Sequence, residues 1–251
     1  MSGYGDFARV YDALNSDACY EQRGEYLWSA FKKFRNGKGP KTCLDLACGT
    51  GILTEFFAKK GCEMIGVDGS VEMLNGARRR LCENFPETLL LCQDMTELDL
   101  YGTVEGGICT LDSINHLCEK EQVSRLFSRL KFFIEPGGIF IFDVNTPYKH
   151  QNILADNCFV IEREGLYCGW QNFLDEDGLR VDIVLDMFVE RNGLYDRLCE
   201  EFSERAYTAE ELTEIVEQNE FAVLAVYGDM TFEPPEPNEQ RYIFVIKRKG
   251  M

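Results

Sequence analysis

The chain has 251 residues, 45% of them hydrophobic and 27% charged, which is enough apolar surface for one sizeable core and too much for a disordered chain. Its 43 acidic and 26 basic residues give a net charge of −17, which opposes attraction to nucleic-acid phosphates or anionic lipid and excludes both as expected partners. The eleven cysteines include no C-x-x-C pair, only two histidines are present, and no apolar run is long enough to cross a bilayer. The expectation is therefore a cytoplasmic chain with reduced thiols and no metal site.

Helical spacing of Leu27, Phe31 and Phe34 predicts a helix over 20–34. With Tyr4, Tyr11 and Tyr20 it forms an N-terminal helical segment, 1–38, which either lies over a site as a lid or packs as ordinary aromatic core. From Lys41 onward short apolar runs alternate with amphipathic stretches, the pattern of a parallel sheet with helices on both faces. Strands are expected over 42–47, 63–67, 88–92, 107–111 and 139–144. Helices are expected after Gly51, after the cap Ser70, and through Val123, Leu126, Phe127, Leu130 and Ile134. Pro136 and Gly137 stop the last of these. Over 159–207 the alternation changes: turn signals at 175–178 and 191–193 predict a three-stranded antiparallel insertion. Thr208 and Glu211 have capping-box spacing ahead of a final helix, and strands over 221–227 and 241–247 complete the sheet.

The chemistry-bearing segment is Leu44-Asp45-Leu46-Ala47-Cys48-Gly49-Thr50-Gly51, a strand running through a glycine-punctuated turn into a helix. Glycine lets backbone approach a ligand without a Cβ in the way, and a helix start offers unpaired N–H groups. Asp68 ends the second strand, where a carboxylate can accept both ribose hydroxyls of an adenosine group. The third glycine of the dinucleotide fingerprint is absent, since Thr54 follows Gly49-Thr50-Gly51-Ile52-Leu53. Asp45 would repel a pyrophosphate and attract an ammonium, so the pattern favours a cationic, phosphate-free adenosyl cofactor over NAD.

The motifs at 45–51, Val-Asp-Gly-Ser at 67–70, Cys-Gln-Asp-Met at 92–95, Leu-Asp-Ser-Ile-Asn-His at 111–116 and Glu-Pro-Gly-Gly-Ile-Phe-Ile-Phe-Asp at 135–143 resemble, in order, those of class I S-adenosylmethionine-dependent methyltransferases. The opening at 4–12 is similar to a small bacterial subgroup of that family with unassigned acceptors. The resemblance implies a doubly wound α/β fold whose seven-stranded sheet has the order 3-2-1-4-5-7-6, the last strand antiparallel. It places Asp45 near the methionine amino group and Ala47, Gly49 and Gly51 along the cofactor backbone. Asp68 would hold the ribose, Gly69 and Met73 would flank the adenine, and Asp94 with Met95 would hold its edge. Leu111 closes the methionine side, and Tyr11 belongs to the lid.

The sulfonium of such a cofactor already activates its methyl group, so the protein chiefly aligns an acceptor and excludes water. Acceptor-side candidates follow the fourth and fifth strands: His116 as a general base, with Asn115, Asp143, Asn145 and Tyr148 around the substrate. Arg163, Arg180 and Arg205 either meet an acidic acceptor or pair with nearby carboxylates. The acceptor expected is a small molecule walled in by the insertion, and an exposed strand edge could also make a homodimer. The readings in competition are a non-catalytic S-adenosylmethionine-binding module and an NAD-dependent oxidoreductase.

Overall fold

The computed structural model describes residues 10–250. The calls on Tyr4 and the rest of 1–9 lie outside these residues. Eleven strands form two sheets. The larger contains β1 (Thr42–Leu46), β2 (Glu63–Asp68), β3 (Leu89–Cys92), β4 (Val104–Cys109), β5 (Ile134–Asn145), β10 (Phe221–Tyr227) and β11 (Arg241–Arg248). Their spatial order is β10-β11-β5-β4-β1-β2-β3, the expected order with β11 antiparallel to both its neighbours.

β5 is buried on both faces from Ile139 to Asn145, which is why it reads as an almost unbroken apolar run. The strand starts earlier than its apolar run, at Ile134. The residues between Ile134 and Ile139 bulge out of register with β4, with Gly137 at φ 84° making the bend. One face of the sheet carries α1 (Tyr20–Phe34) and α2 (Ile52–Lys59) over Phe31, Phe57 and Ile141. The other carries α4 (Lys120–Leu130) and α5 (Ala209–Gln218) over Phe127, Phe142 and Phe221, while α3 (Val71–Leu81) follows β2. Phe142 of β5 and Phe244 of β11 stack at 4.9 Å, so truncating either removes about 3–5 kcal/mol of packing.

Both predicted caps form: Ser70 Oγ accepts the Met73 amide at 3.2 Å, and Thr208 with Glu211 makes a reciprocal capping box. Among the described residues no helix is long and apolar enough to cross a membrane.

The insertion has four strands where three were expected: β6 (Cys158–Arg163), β7 (Leu166–Leu174), β8 (Arg180–Arg191) and β9 (Leu194–Arg205). The missed turn is Glu164-Gly165, in which Gly165 takes φ 71°. It is too short to interrupt the apolar pattern on either side. Val181, Ile183, Leu185 and Met187 of β8 line the inner face, where they cluster with Leu166 and Cys168 of β7 and with Val10 and Leu154.

Candidate active site

The turn after β1 is held in left-handed conformations, with Ala47 at φ 58°, Gly49 at 54° and Gly51 at 77°. At Gly49 an added Cβ would meet only the Tyr11 ring, 3.9 Å away, so this backbone is bare towards a ligand. Gly51 plays a different part from the one expected. It lines neither of the two cavities described below; its Cβ would come within 2.9 Å of Ala77, so the glycine is needed for its φ and for packing α2 against α3.

Asp68 ties two turns together. Its Oδ2 accepts the Gly49 amide and its Oδ1 the Ser70 amide, both at 2.8 Å. Burial raises its pKa and these two N–H donors oppose the rise. Each oxygen keeps a lone pair for a further donor, as a ribose hydroxyl would be. Asp94 uses Oδ1 alone to cap the turn 95–97, accepting Thr96 N and Oγ1 at 2.7 Å. Asp45 is 3% exposed, receives the Thr54 hydroxyl at 2.6 Å, and is pushed up to about 7 by burial. No cationic side chain pairs with it among the described residues.

A cleft of about 700 Å³ opens over the ends of β1, β2 and β3. The strand ends and the turns after them contribute Ala47, Gly49, Asp68, Gly69, Met73, Asp94 and Met95 to its lining; the rest includes Ser113, His116 and Leu117 with Glu200 and Phe202 of β9. A cavity of about 30 Å³ adjoins it across Tyr11, Ala47 and Gly49, and is closed by Tyr20, Asp45 and Leu111. Asp12, next to Tyr11, clasps the first turn through the Thr50 hydroxyl and through Arg80 at 2.6 Å. The structure thus brings ten of the eleven expected cofactor residues to these two cavities, Gly51 being the exception.

The expected acceptor residues stand elsewhere. Asn115, Asp143 and Asn145 are buried and fully engaged. Asp143 accepts the Leu111 and Asp112 amides at 3.0 and 2.9 Å and pairs with Arg241 and Arg23. Asn115 Nδ2 donates to the carbonyls of Asn145 and Arg205 at 3.1 and 2.8 Å, and Asn145 Nδ2 donates to Asp112 and to Glu204. These residues stitch the insertion onto the end of β5 instead of facing a substrate. Tyr148, on the short turn Pro147–Lys149, lines neither cavity. Arg163 pairs with Asp17, Arg180 with Asp182 and Arg205 with Glu211.

His116 does face the cleft, its ring centroid 5.1 Å from that of Phe202. Desolvation by the surrounding protein lowers its pKa, against the pull of Asp112 and Asp68, so the imidazole is neutral at pH 7. Sequence reasoning missed Glu200, Phe202 and Arg23. The first two alternate along β9, but nothing local says which face of that strand meets the cleft. Arg23 was legible as a charge in line with Leu27 and Phe31 on the buried stripe of α1. Its guanidinium binds Asp143 and Asp229, while Nε, also buried, has no partner.

An acid without a cationic partner among the described residues, and a carboxylate with lone pairs to spare beside the uncovered Gly49 backbone, suit a ligand with an ammonium and a ribose diol. S-adenosylmethionine carries both, and the residues present fit it. Residues 43–138 match the family model described as a methyltransferase domain. The chain is 33% identical to "Putative methyltransferase YqeM" of Bacillus subtilis (strain 168), over 98% of this chain and 97% of that one. A crystal structure of an S-adenosylmethionine-dependent methyltransferase from Clostridium acetobutylicum ATCC 824 superposes with TM-score 0.89 at 28% identity, covering 99% and 100% of the two chains. The fold, the cofactor cleft and these likenesses agree: the chain belongs to the class I S-adenosylmethionine-dependent methyltransferases.

Proposed function

We propose that the enzyme methylates a small molecule held between the cofactor wall and the added sheet. One observation carries this reading: β9 supplies Glu200 and Phe202 to the same cleft that Asp68 lines, so the insertion helps to enclose it. Relatives at greater distance support it. The dTDP-3-amino-3,4,6-trideoxy-alpha-D-glucopyranose N,N-dimethyltransferase of Streptomyces venezuelae is 29% identical over 49% of this chain and 50% of its own. In this reading Asp68 takes the ribose and Asp45 the ammonium of the cofactor, with Gly69, Met73, Asp94 and Met95 around its adenine. The cofactor supplies the electrophilic methyl group. His116, neutral and lining the cleft, accepts a proton from the acceptor. The reaction belongs to the cytoplasm, and a homodimer would pair through β6, the edge of the added sheet away from β9.

Calorimetry with S-adenosylhomocysteine and with NAD, followed by turnover on small acceptors, tests the reading. The first should bind and NAD should not. Equal binding of NAD would restore the oxidoreductase, and tight cofactor binding without turnover of any acceptor would favour the non-catalytic module.

A further inference from the structure

Glu200 lies on the inner face of β9, paired in register with Leu185 and followed two residues on by Phe202. It is 9% exposed, yet neither carboxylate oxygen has a hydrogen-bond partner among the described residues, and Oε1 is sealed from solvent. Burial raises its pKa, with no donor to offset the rise. Glu204, on the same face, shows what the fold does with an acid it uses for itself: it accepts Asn145 Nδ2 at 3.0 Å and lies 3.8 Å from His150 Nε2. An apolar residue beside Leu185 would avoid the desolvation of an unpaired carboxylate.

The composition of the cleft supplies a second, independent observation. Asp68, Glu72, Asp94 and Glu200 all line it, and no lysine or arginine among the described residues does. Such a cavity repels anions and attracts cations. Phe202, two residues on, adds an aromatic ring to the same lining, and such rings attract cations.

We propose that Glu200 recognises the acceptor, and that this acceptor is a small molecule carrying a protonatable amine. The inference rests on the methyl-transfer reading and names its substrate class. Glu200 holds the ammonium. His116, on the same wall, takes one proton from it, which frees the nitrogen lone pair. That pair forms the new C–N bond to the methyl carbon as the C–S bond breaks with its electrons on sulfur, and the methylated amine carries the positive charge.

The test uses the whole chain loaded with S-adenosylhomocysteine, comparing wild type with Glu200→Gln and Glu200→Ala after thermal melts establish that each is folded. Binding is measured for matched probes: glucosamine against glucose, ethanolamine against ethylene glycol, and benzylamine against benzyl alcohol. Initial rates with S-adenosylmethionine and the same probes follow. Wild type should prefer the amine of at least one pair by about tenfold or more, and Glu200→Gln should remove that preference while leaving affinity for S-adenosylhomocysteine within about twofold. Three outcomes overturn the proposal: no amine preferred, the preference surviving in Glu200→Gln, or a folded variant losing cofactor affinity about tenfold, which would place Glu200 on the cofactor instead. If wild type itself fails to bind S-adenosylhomocysteine, the methyl-transfer reading fails with it, and that result is distinct from the other three.

Discussion

The two walls of the cleft are built from different materials. The wall proposed for the cofactor is shaped by backbone: the turn after β1 sits at positive φ and is uncovered at Gly49, and Asp68 ties it to the turn that starts α3. The wall proposed for the acceptor is mostly side chain, presented by β9 and by 113–117 and anchored by the network of Asp143, Arg241, Asp112, Asn145 and Glu204. Backbone contacts tolerate changes of neighbouring side chains but demand particular φ values. Side-chain contacts can be exchanged one at a time on an unchanged frame. One domain can therefore keep its cofactor and change its acceptor, provided the network beneath stays intact.

The sharpest attack on that division is Asp143→Ala. Removing this carboxylate takes from two buried guanidinium groups one of their two acid partners and leaves the Leu111 and Asp112 amides without an acceptor, so unfolding stability should fall by about 3–5 kcal/mol in a urea titration. A loss under about 1 kcal/mol, with turnover abolished, would return Asp143 to the acceptor side. Asp68→Ala comes next. Two charge-assisted bonds to a ribose are worth about 1.5–3 kcal/mol each, so affinity for S-adenosylhomocysteine should drop about 100-fold or more. A folded variant with undiminished affinity would make Asp68 a tie between turns and nothing else. His116→Gln should cost about 100-fold in kcat with cofactor affinity kept, and the fall in rate on acidification that comes from protonating the imidazole should vanish. Survival of that acid limb would leave His116 as a wall of the cleft beside Phe202.

The same division explains what the sequence discloses. The residues proposed for the cofactor, such as Gly49, Asp68 and Asp94, sit at fixed offsets from strand ends, because a tight turn and the carboxylate that ties it are local in the chain. The seven-stranded order was accessible through those motifs as well. Asn115, Asp143 and Asn145 looked like acceptor residues because the ends of β4 and β5 are where open sheets bind ligands. What turned them inward is contact with Arg241, Arg205 and Glu204, all far along the chain, and no local pattern announces such partners. Glu200 shows the converse. It is one carboxylate among many on the insertion, and its role depends on the register of β9 against β8 and on which face of the sheet is covered.

The smallest effect concerns Asp45, and its sign can be worked out in advance. Burial pushes this carboxyl from 3.8 up to about 7, so the folded protein holds a proton there that the unfolded chain releases. The stabilisation from that proton is complete below pH 3.8 and is lost as pH rises through about 7. Asp45→Asn, which can still accept the Thr54 hydroxyl, should therefore be more stable than wild type at pH 8 and lose that advantage towards pH 4. Cofactor binding runs the other way, because an ammonium group is attracted only to the ionised carboxylate. Affinity of the wild type for S-adenosylhomocysteine should climb about tenfold from pH 6 to pH 8, as the ionised fraction rises from about a tenth to about nine-tenths, and Asp45→Asn should bind weakly and equally at both. Calorimetry at the two pH values decides it. A flat profile in the wild type would mean that the ammonium does not face Asp45, and that the acid under the first turn serves only to hold Thr54 and the start of α2 in place.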